Sequence, residues 1–301
     1  MVAMTLLPEA LPPSPTKDDP LRPPPHLAAA ATARGETNAA RSAGLDALRS
    51  HLATSAAAQA TPARHGRFLT ALAADVPFLL AFLRWARFGV PAAIARLDRF
   101  TAFVAAHPSW AARPSAAEVS AVLGVGVLSF TPCTDGHGRA VATLAGGGLE
   151  ALIARVGLAA INRVAFWAYA ALLRSPSVSI VGVVQVQHLA GLGWGILSSL
   201  RSADGLEGLT TLTSVLPLRL GGIAMVEAPA VMGLAWRLVR KALSPKVRAR
   251  VRMLPSMDKL APDVDVRCLP VALGGQSADA PTYTVELVMA GVVATPWMEL
   301  Q

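Results

Sequence analysis

Residues 216–246 read LPLRLGGIAMVEAPAVMGLAWRLVRKALSPK, and the order of residue types within this stretch decides the fold class. Ile223 to Val226 form a short apolar run behind two glycines, which predicts a strand at 221–227. Pro229 then closes the run and the period changes. Val231, Met232, Leu234, Ala235, Leu238 and Val239 recur at helical spacing, with Arg237, Arg240 and Lys241 off that line. The spacing predicts an amphipathic helix over 230–243. A strand leading into a helix of this kind argues for an α/β layer domain.

The alternation extends in both directions. Strands are predicted near 121–130, 139–145, 178–187 and 250–254, and helices near 149–174, 191–202 and 205–216. Upstream the rhythm is helical throughout. Phe78, Leu79, Phe82 and Leu83 recur at one-turn spacing, with Arg84 and Arg87 read onto another face. After Gly89-Val90-Pro91, a second helix carries Ile94, Leu97, Phe100, Phe103 and Val104 on one side and ends at His107-Pro108. Residues 1–35 are proline-rich and predicted to be disordered. Residues 36–110 form an N-terminal helical domain, 111–276 the α/β domain, and 277–301 a mixed tail. Its apolar pieces, among them Val285, Leu287 and Val288, are expected to pack back on the body.

The charge balance, 27 basic against 19 acidic residues, leaves the chain at +8, which favours phosphate-rich partners. From Arg237 to Arg252 the run of basic residues meets no acid, and it lacks the interleaved aromatics and motif of a nucleic-acid binder. An anionic membrane surface is the better match. Cys133 and Cys268 make no disulfide framework or metal spacing. Met1 to Ala10 has no basic n-region, so no secretory signal is read there, although the Ala-, Ser- and Arg-rich start leaves organellar targeting open. Ser175 to Leu200 is long and uncharged enough to suggest a membrane span. Its proline, glutamines, histidine and four glycines predict a buried strand, a turn and a helix instead.

Catalytic constellations are thin. The chain has no G-x-S-x-G elbow, no phosphate loop with its lysine and no H-E-x-x-H pair. Gly146-Gly147-Gly148 reads as a permissive turn. Asp135 reads as a turn residue. His188, after Gln185 and Gln187, reads as a satisfied core or turn histidine, with a hydrolase using it as the catalytic alternative. Phe166, Trp167, Trp194 and Trp236 read as core aromatics.

Four segments carry a family resemblance over about Leu69 to Gly275. Phe82-Leu83-Arg84-Trp85-Ala86-Arg87-Phe88-Gly89-Val90 resembles the FLRARKFDV element of the CRAL-TRIO lipid-binding proteins. Asp135 to Val141 resembles that family's D-x-x-G-R-P-V hairpin. Leu216-Pro217-Leu218-Arg219, Glu227-Ala228-Pro229 and Ser244-Pro245-Lys246 follow its longest motif, and Leu269 to Gly275 its closing LPxELGG. The usual D-L-E-G reads His188-Leu189-Ala190-Gly191 here. Glu227 stands for a common asparagine, Gly221 for a basic residue of some members, and Ala272 for the closing glutamate.

The resemblance implies a mixed sheet flooring an apolar cavity, walled by helices and gated by the helix at 230–243. It implies lipid binding and transfer without catalysis, with no metal and no cofactor besides the lipid ligand, of the tocopherol, retinoid or phospholipid class. The cavity residues expected from it are Val125, Val127, Phe166, Tyr169, Ile180, Val184, Val186, Leu212, Val215, Ile223 and Met225. The gate side chains are Val231, Leu234, Ala235 and Leu238. Arg219, Lys246 and Arg250 match rim positions that bind phosphoinositide headgroups in one branch of the family, and Arg240, Lys241 and Arg248 extend the membrane-facing patch. A cytoplasmic monomer that associates peripherally with membranes is the expected form; a lipid sensor or scaffold is the alternative.

Overall fold

A computed structural model describes residues 22–58, 63–202, 205, 214–260, 264–278 and 280–295. After a short turn at Pro25–Leu27, the first helices are α1 (Ala28–Thr32), α2 (Asn38–Ala58), α3 (Ala63–Ala74), α4 (Val76–Trp85) and α5 (Val90–Ala106). The Asp75 side chain caps α4 by accepting from the Phe78 N–H at 3.2 Å. Phe100 of α5 meets Phe78 and Phe82 of α4 at ring-centroid distances of 5.3 and 5.8 Å. These contacts are the one-turn aromatic pattern realised in space.

The expectation of a disordered leader fails for its second half. Leu27 and Ala31 are buried against Ile180, and Glu36, just past that leader, is buried in an ion pair with Arg84. Enough apolar and ionic contact exists to order residues 22–36; residues 1–21 lie outside the described residues. Arg84 is likewise not on a solvent face. It is 3% exposed, because a carboxylate 48 positions away is there to pair with it.

Next come α6 (Pro108–Ala111) and α7 (Ala116–Leu123). The strand predicted from 121 therefore begins late. The Ser115 hydroxyl accepts from the Glu118 N–H and caps a helix that buries Val119, Val122 and Leu123. Strands β1 (Leu128–Thr134) and β2 (Ala140–Ala145) form an antiparallel hairpin. Its turn is tied by Asp135, which accepts from the His137 and Arg139 N–H groups and pairs with the Arg139 guanidinium.

The long helix predicted at 149–174 is two helices, α8 (Leu149–Val156) and α9 (Leu158–Leu173), broken where Gly157 adopts a φ of 79°. The β-branched start of the Ser175–Leu200 stretch folds as α10 (Pro176–Ile180), since Pro176 suits a first helical turn. Only then does β3 (Val183–His188) begin, followed by α11 (Gly195–Arg201). Most of the helix predicted at 205–216 lies outside the described residues. The decisive stretch folds as read into β4 (Leu220–Val226) and α12 (Ala230–Ala242), and adds a short helix that was not foreseen, α13 (Pro245–Arg248). Strand β5 (Val251–Leu254) and a C-terminal helix, α14 (Ala280–Val293), complete the order. The tail thus holds a long helix, whose Thr284 hydroxyl accepts from the Phe130 N–H of β1 at 2.8 Å.

The sheet order is β1-β2-β3-β4-β5, with β2 to β5 parallel. Both faces of a parallel sheet must be covered. On one face Val141, Val184, Val186, Ala224 and Val226 pack on Leu260, Val264, Leu269 and Leu273. On the other, Ile223 and Met225 pack with α11 and α12, and α9 covers the β1–β2 side. The core is continuous across the boundary drawn at residue 110, for Phe166 of α9 stacks on Phe100 at 6.2 Å with the rings 8° from parallel. Among the described residues no single helix is long and apolar enough to cross a membrane.

Candidate functional site

The face covered by α12 is the candidate ligand face. Alternation along β4 points Ile223 and Met225 to it, where they meet Val231, Met232 and Ala235 of α12 and Ile196 and Leu197 of α11. Helix α12 is laid on by its apolar stripe, with Ala235 fully buried, while Arg237, Arg240 and Lys241 are exposed. Leu234, read as a gate contact, is 39% exposed and looks outward. The side chain of Leu238 is outside the described residues.

The expected cavity residues divide. Ile223, Met225 and Tyr169 lie on this face. Val184 and Val186 do not. Their parity on β3 puts them on the opposite face, against Leu260 and Leu269. Phe166 is buried among the aromatic rings of α5, and Ile180 packs on α1. Val215 is buried in the large core shared with the N-terminal helices. Val127 and the exposed Val125 line a separate pocket of about 310 Å³, together with Gly147, Gly148, His188 and Ala272. Leu212 lies outside the described residues.

Beyond Val183, what β3 turns to the ligand face is polar. Gln185 and Gln187 alternate with Val184 and Val186, and both are only partly buried. The Gln185 amide donates to the Tyr169 hydroxyl at 2.8 Å, and the Gln187 amide donates to Gln185 Oε1 at 3.4 Å. Burial pushes the Tyr169 phenol up to about 12, so it stays a neutral hydroxyl. The alternation of β3 held this information. Val184 and Val186, expected in the cavity, have the opposite parity.

The basic residues gather around one edge of the sheet. Arg219, at the start of β4, donates to the Arg84 and Trp85 carbonyl oxygens. Arg250 donates to the Leu220 carbonyl oxygen, so these two motif positions flank the same residue. Burial, and then the guanidinium groups of Arg34 and Arg87, push Arg219 down to about 10. Arg34 and Arg87 were not foreseen in this cluster. Arg87 sits at a φ of 53°, directly after α4. The Arg139 side chain fills the space over Gly221, where some family members carry a basic residue. Lys246 and Arg248 stand exposed on α13.

Two further residues differ from expectation. Trp194 is 70% exposed on a glycine-flanked turn leading into α11, not in the core. His188 is not a lone histidine. Its Nε2 lies 3.2 Å from Glu227 Oε2, 39 positions away. Glu227 itself has a φ of 52°, three residues before α12. Among the described residues no group of three or more His, Cys, Asp or Glu side chains is placed to hold a metal ion.

The site is thus a sheet face, apolar except for Gln185 and Gln187, covered by an amphipathic helix and flanked by basic residues. Residues 152–275 match the model of the CRAL/TRIO domain, and they follow a helical N-terminal region. The chain is similar to the crystal structure of Sfh5, with a TM-score of 0.55 and 16% identity over 86% of this chain and 96% of that one; at that identity the likeness speaks for the fold. No curated protein matches the sequence. CRAL/TRIO proteins as a family bind and transfer lipids and are not enzymes.

Proposed function

We propose that this chain holds one hydrophobic lipid between the β3–β4 face and α12, and carries it between membranes without chemical change and without a further cofactor. The observation that carries the reading is α12 itself. It buries an apolar stripe against the sheet and leaves a basic face outside. A helix of that kind can roof a ligand or lie in a membrane interface. Enclosing a lipid tail offsets about 0.8 kcal/mol per methylene that water would otherwise cost. Release needs the roof to move and no bond to break.

The membrane partner follows from the surface beside α12. Exposed Trp194 and Leu234 supply apolar contact, and Arg240, Lys241, Lys246 and Arg248 supply positive charge. Tryptophan settles well at a membrane–water boundary. In this reading the protein is a cytoplasmic monomer that docks transiently, with Arg219 and Arg250 near anionic headgroups such as phosphoinositides. Mass spectrometry of lipids copurifying with the chain, paired with a transfer assay between donor and acceptor liposomes, tests the whole. A bound lipid with no transfer supports a sensing or scaffold role instead; neither lipid nor transfer defeats the proposal.

Trp194→Ala is expected to weaken binding to neutral liposomes about tenfold, from roughly 1.5 kcal/mol of lost apolar burial. Its melting temperature should stay unchanged, because the side chain is already in solvent. Flotation with unaltered partitioning would remove Trp194 from the docking surface.

A further inference from the structure

The geometry points to a ligand that carries one neutral polar group, a hydroxyl or carbonyl, laid across Gln185 and Gln187; this rests on the lipid-binding reading above and narrows its ligand class. The two glutamines stand on the central strand of the sheet and remain partly accessible, while Val184 and Val186 behind them are buried. In register beside Gln185 are Ala142 and Ile223, and beside Gln187 are Leu144 and Met225. A two-residue polar stripe therefore crosses an apolar floor under α12.

The hydrogen bonds of the stripe run one way. Gln187 donates to Gln185, and Gln185 donates to Tyr169. The stripe thus offers an acceptor in the Gln187 amide oxygen and a donor in the Tyr169 O–H. A ligand hydroxyl satisfies either, and a carbonyl accepts from the amide N–H groups. A plain hydrocarbon would cover these groups without bonding them, which costs free energy. No charged side chain alternates onto this face in β2 to β5. A phosphate or carboxylate placed here would lose its hydration without gaining a counter-charge. The basic groups stand instead at the edge of the sheet.

The test uses delipidated full-length protein and three probes of equal chain length: hexadecan-1-ol, hexadecane and hexadecyl phosphate, compared in competition by native mass spectrometry. The alcohol is expected to bind about tenfold more tightly than the alkane, and the phosphate no better than the alcohol. In Gln185→Leu/Gln187→Leu the preference for alcohol over alkane should fall to about one while alkane binding persists, which also shows that the variant is folded. Tyr169→Phe removes one donor, and with it the acceptor of the Gln185 amide, but leaves both glutamines, and should give an intermediate preference. Equal binding of alcohol and alkane by the unaltered chain, or a preference for the phosphate, overturns this inference and leaves lipid binding standing. Binding of none of the three overturns both.

Discussion

Glu36→Ala is expected to cost about 3–5 kcal/mol, the penalty typical of removing one partner from a buried ion pair. Glu36 is 5% exposed and Arg84 is 3% exposed. The guanidinium is held twice, with Arg84 Nη2 at 2.8 Å from one carboxylate oxygen and Nε at 3.0 Å from the other. Its remaining Nη1 donates to the Ser179 hydroxyl at 2.9 Å. Alanine at 36 takes the carboxylate away from two buried cations, Arg84 and Arg41, the second of which lies 3.5 Å from it. For a chain of this size the loss corresponds to a fall in melting temperature of roughly 5–8 °C. Glu36→Gln keeps part of the hydrogen bonding and should fall between. The replacement Glu36→Leu/Arg84→Met should recover only part of the loss, because buried Arg41, which also pairs with Glu36 at 3.5 Å, loses that carboxylate in either variant. A melting temperature for Glu36→Ala within about 2 °C of the unaltered chain would contradict this account.

The same pair explains why residues 22–36 are ordered despite their composition. Glu36 reaches α4 through Arg84, and Ser179 on α10 joins from the other side. Arg219 in turn donates to the Arg84 and Trp85 carbonyl oxygens. The N-terminal segment, α4 and the start of β4 are therefore fastened at one place, and the basic edge is built on it. Loosening Glu36 should disturb that edge as well as the fold.

None of this was legible from the sequence, because the partners lie far apart along the chain. Periodicity reports faces, not pairs. It was enough to find β2, β4, β5 and α12, where short apolar runs or helical spacing stood between clear breaks. It failed where local chemistry overrode it. Val178 and Ile180 read as strand, yet Pro176 set a helical turn first. Gly157 split a helix that has no break in its apolar pattern. For the site, alternation on β3 fixed that Gln185 and Gln187 share a face, and left open whether that face looked towards α12. Arg219 and Arg250, matched by motif and far apart in sequence, lie next to one another in space, Arg250 donating to the carbonyl of Leu220. The motif did not reveal Arg34 or Arg87, whose link to Arg219 depends on the path of the N-terminal segment. Trp194 was misjudged because an apolar side chain was taken for a buried one, although exposed apolar groups are ordinary and here informative.

The largest functional effect is expected from reversing charge on α13. Lys246 and Arg248 are both exposed on a four-residue helix that follows the roof helix directly. Lys246→Glu/Arg248→Glu changes the local charge by four units. At about 1 kcal/mol for each unit near an anionic surface, that amounts to about 4 kcal/mol, or roughly a thousandfold weaker binding to vesicles rich in acidic lipid. Arg250 is the less clean choice, because its guanidinium also holds the Leu220 carbonyl. The loss should shrink as salt rises, since exposed charges are screened beyond about 8 Å at physiological ionic strength. Binding to neutral vesicles, which draws on Trp194, should hardly move. Lipid held inside the protein should also persist, because neither residue touches the β3–β4 face. Charge at the edge would then set where the protein docks, and the sheet face would set what it carries. Equal binding of the double variant and the unaltered chain to acidic vesicles would mean that α13 is a solvated helix and that docking uses another surface. Loss of copurifying lipid in the same variant would mean that edge and face are not separable.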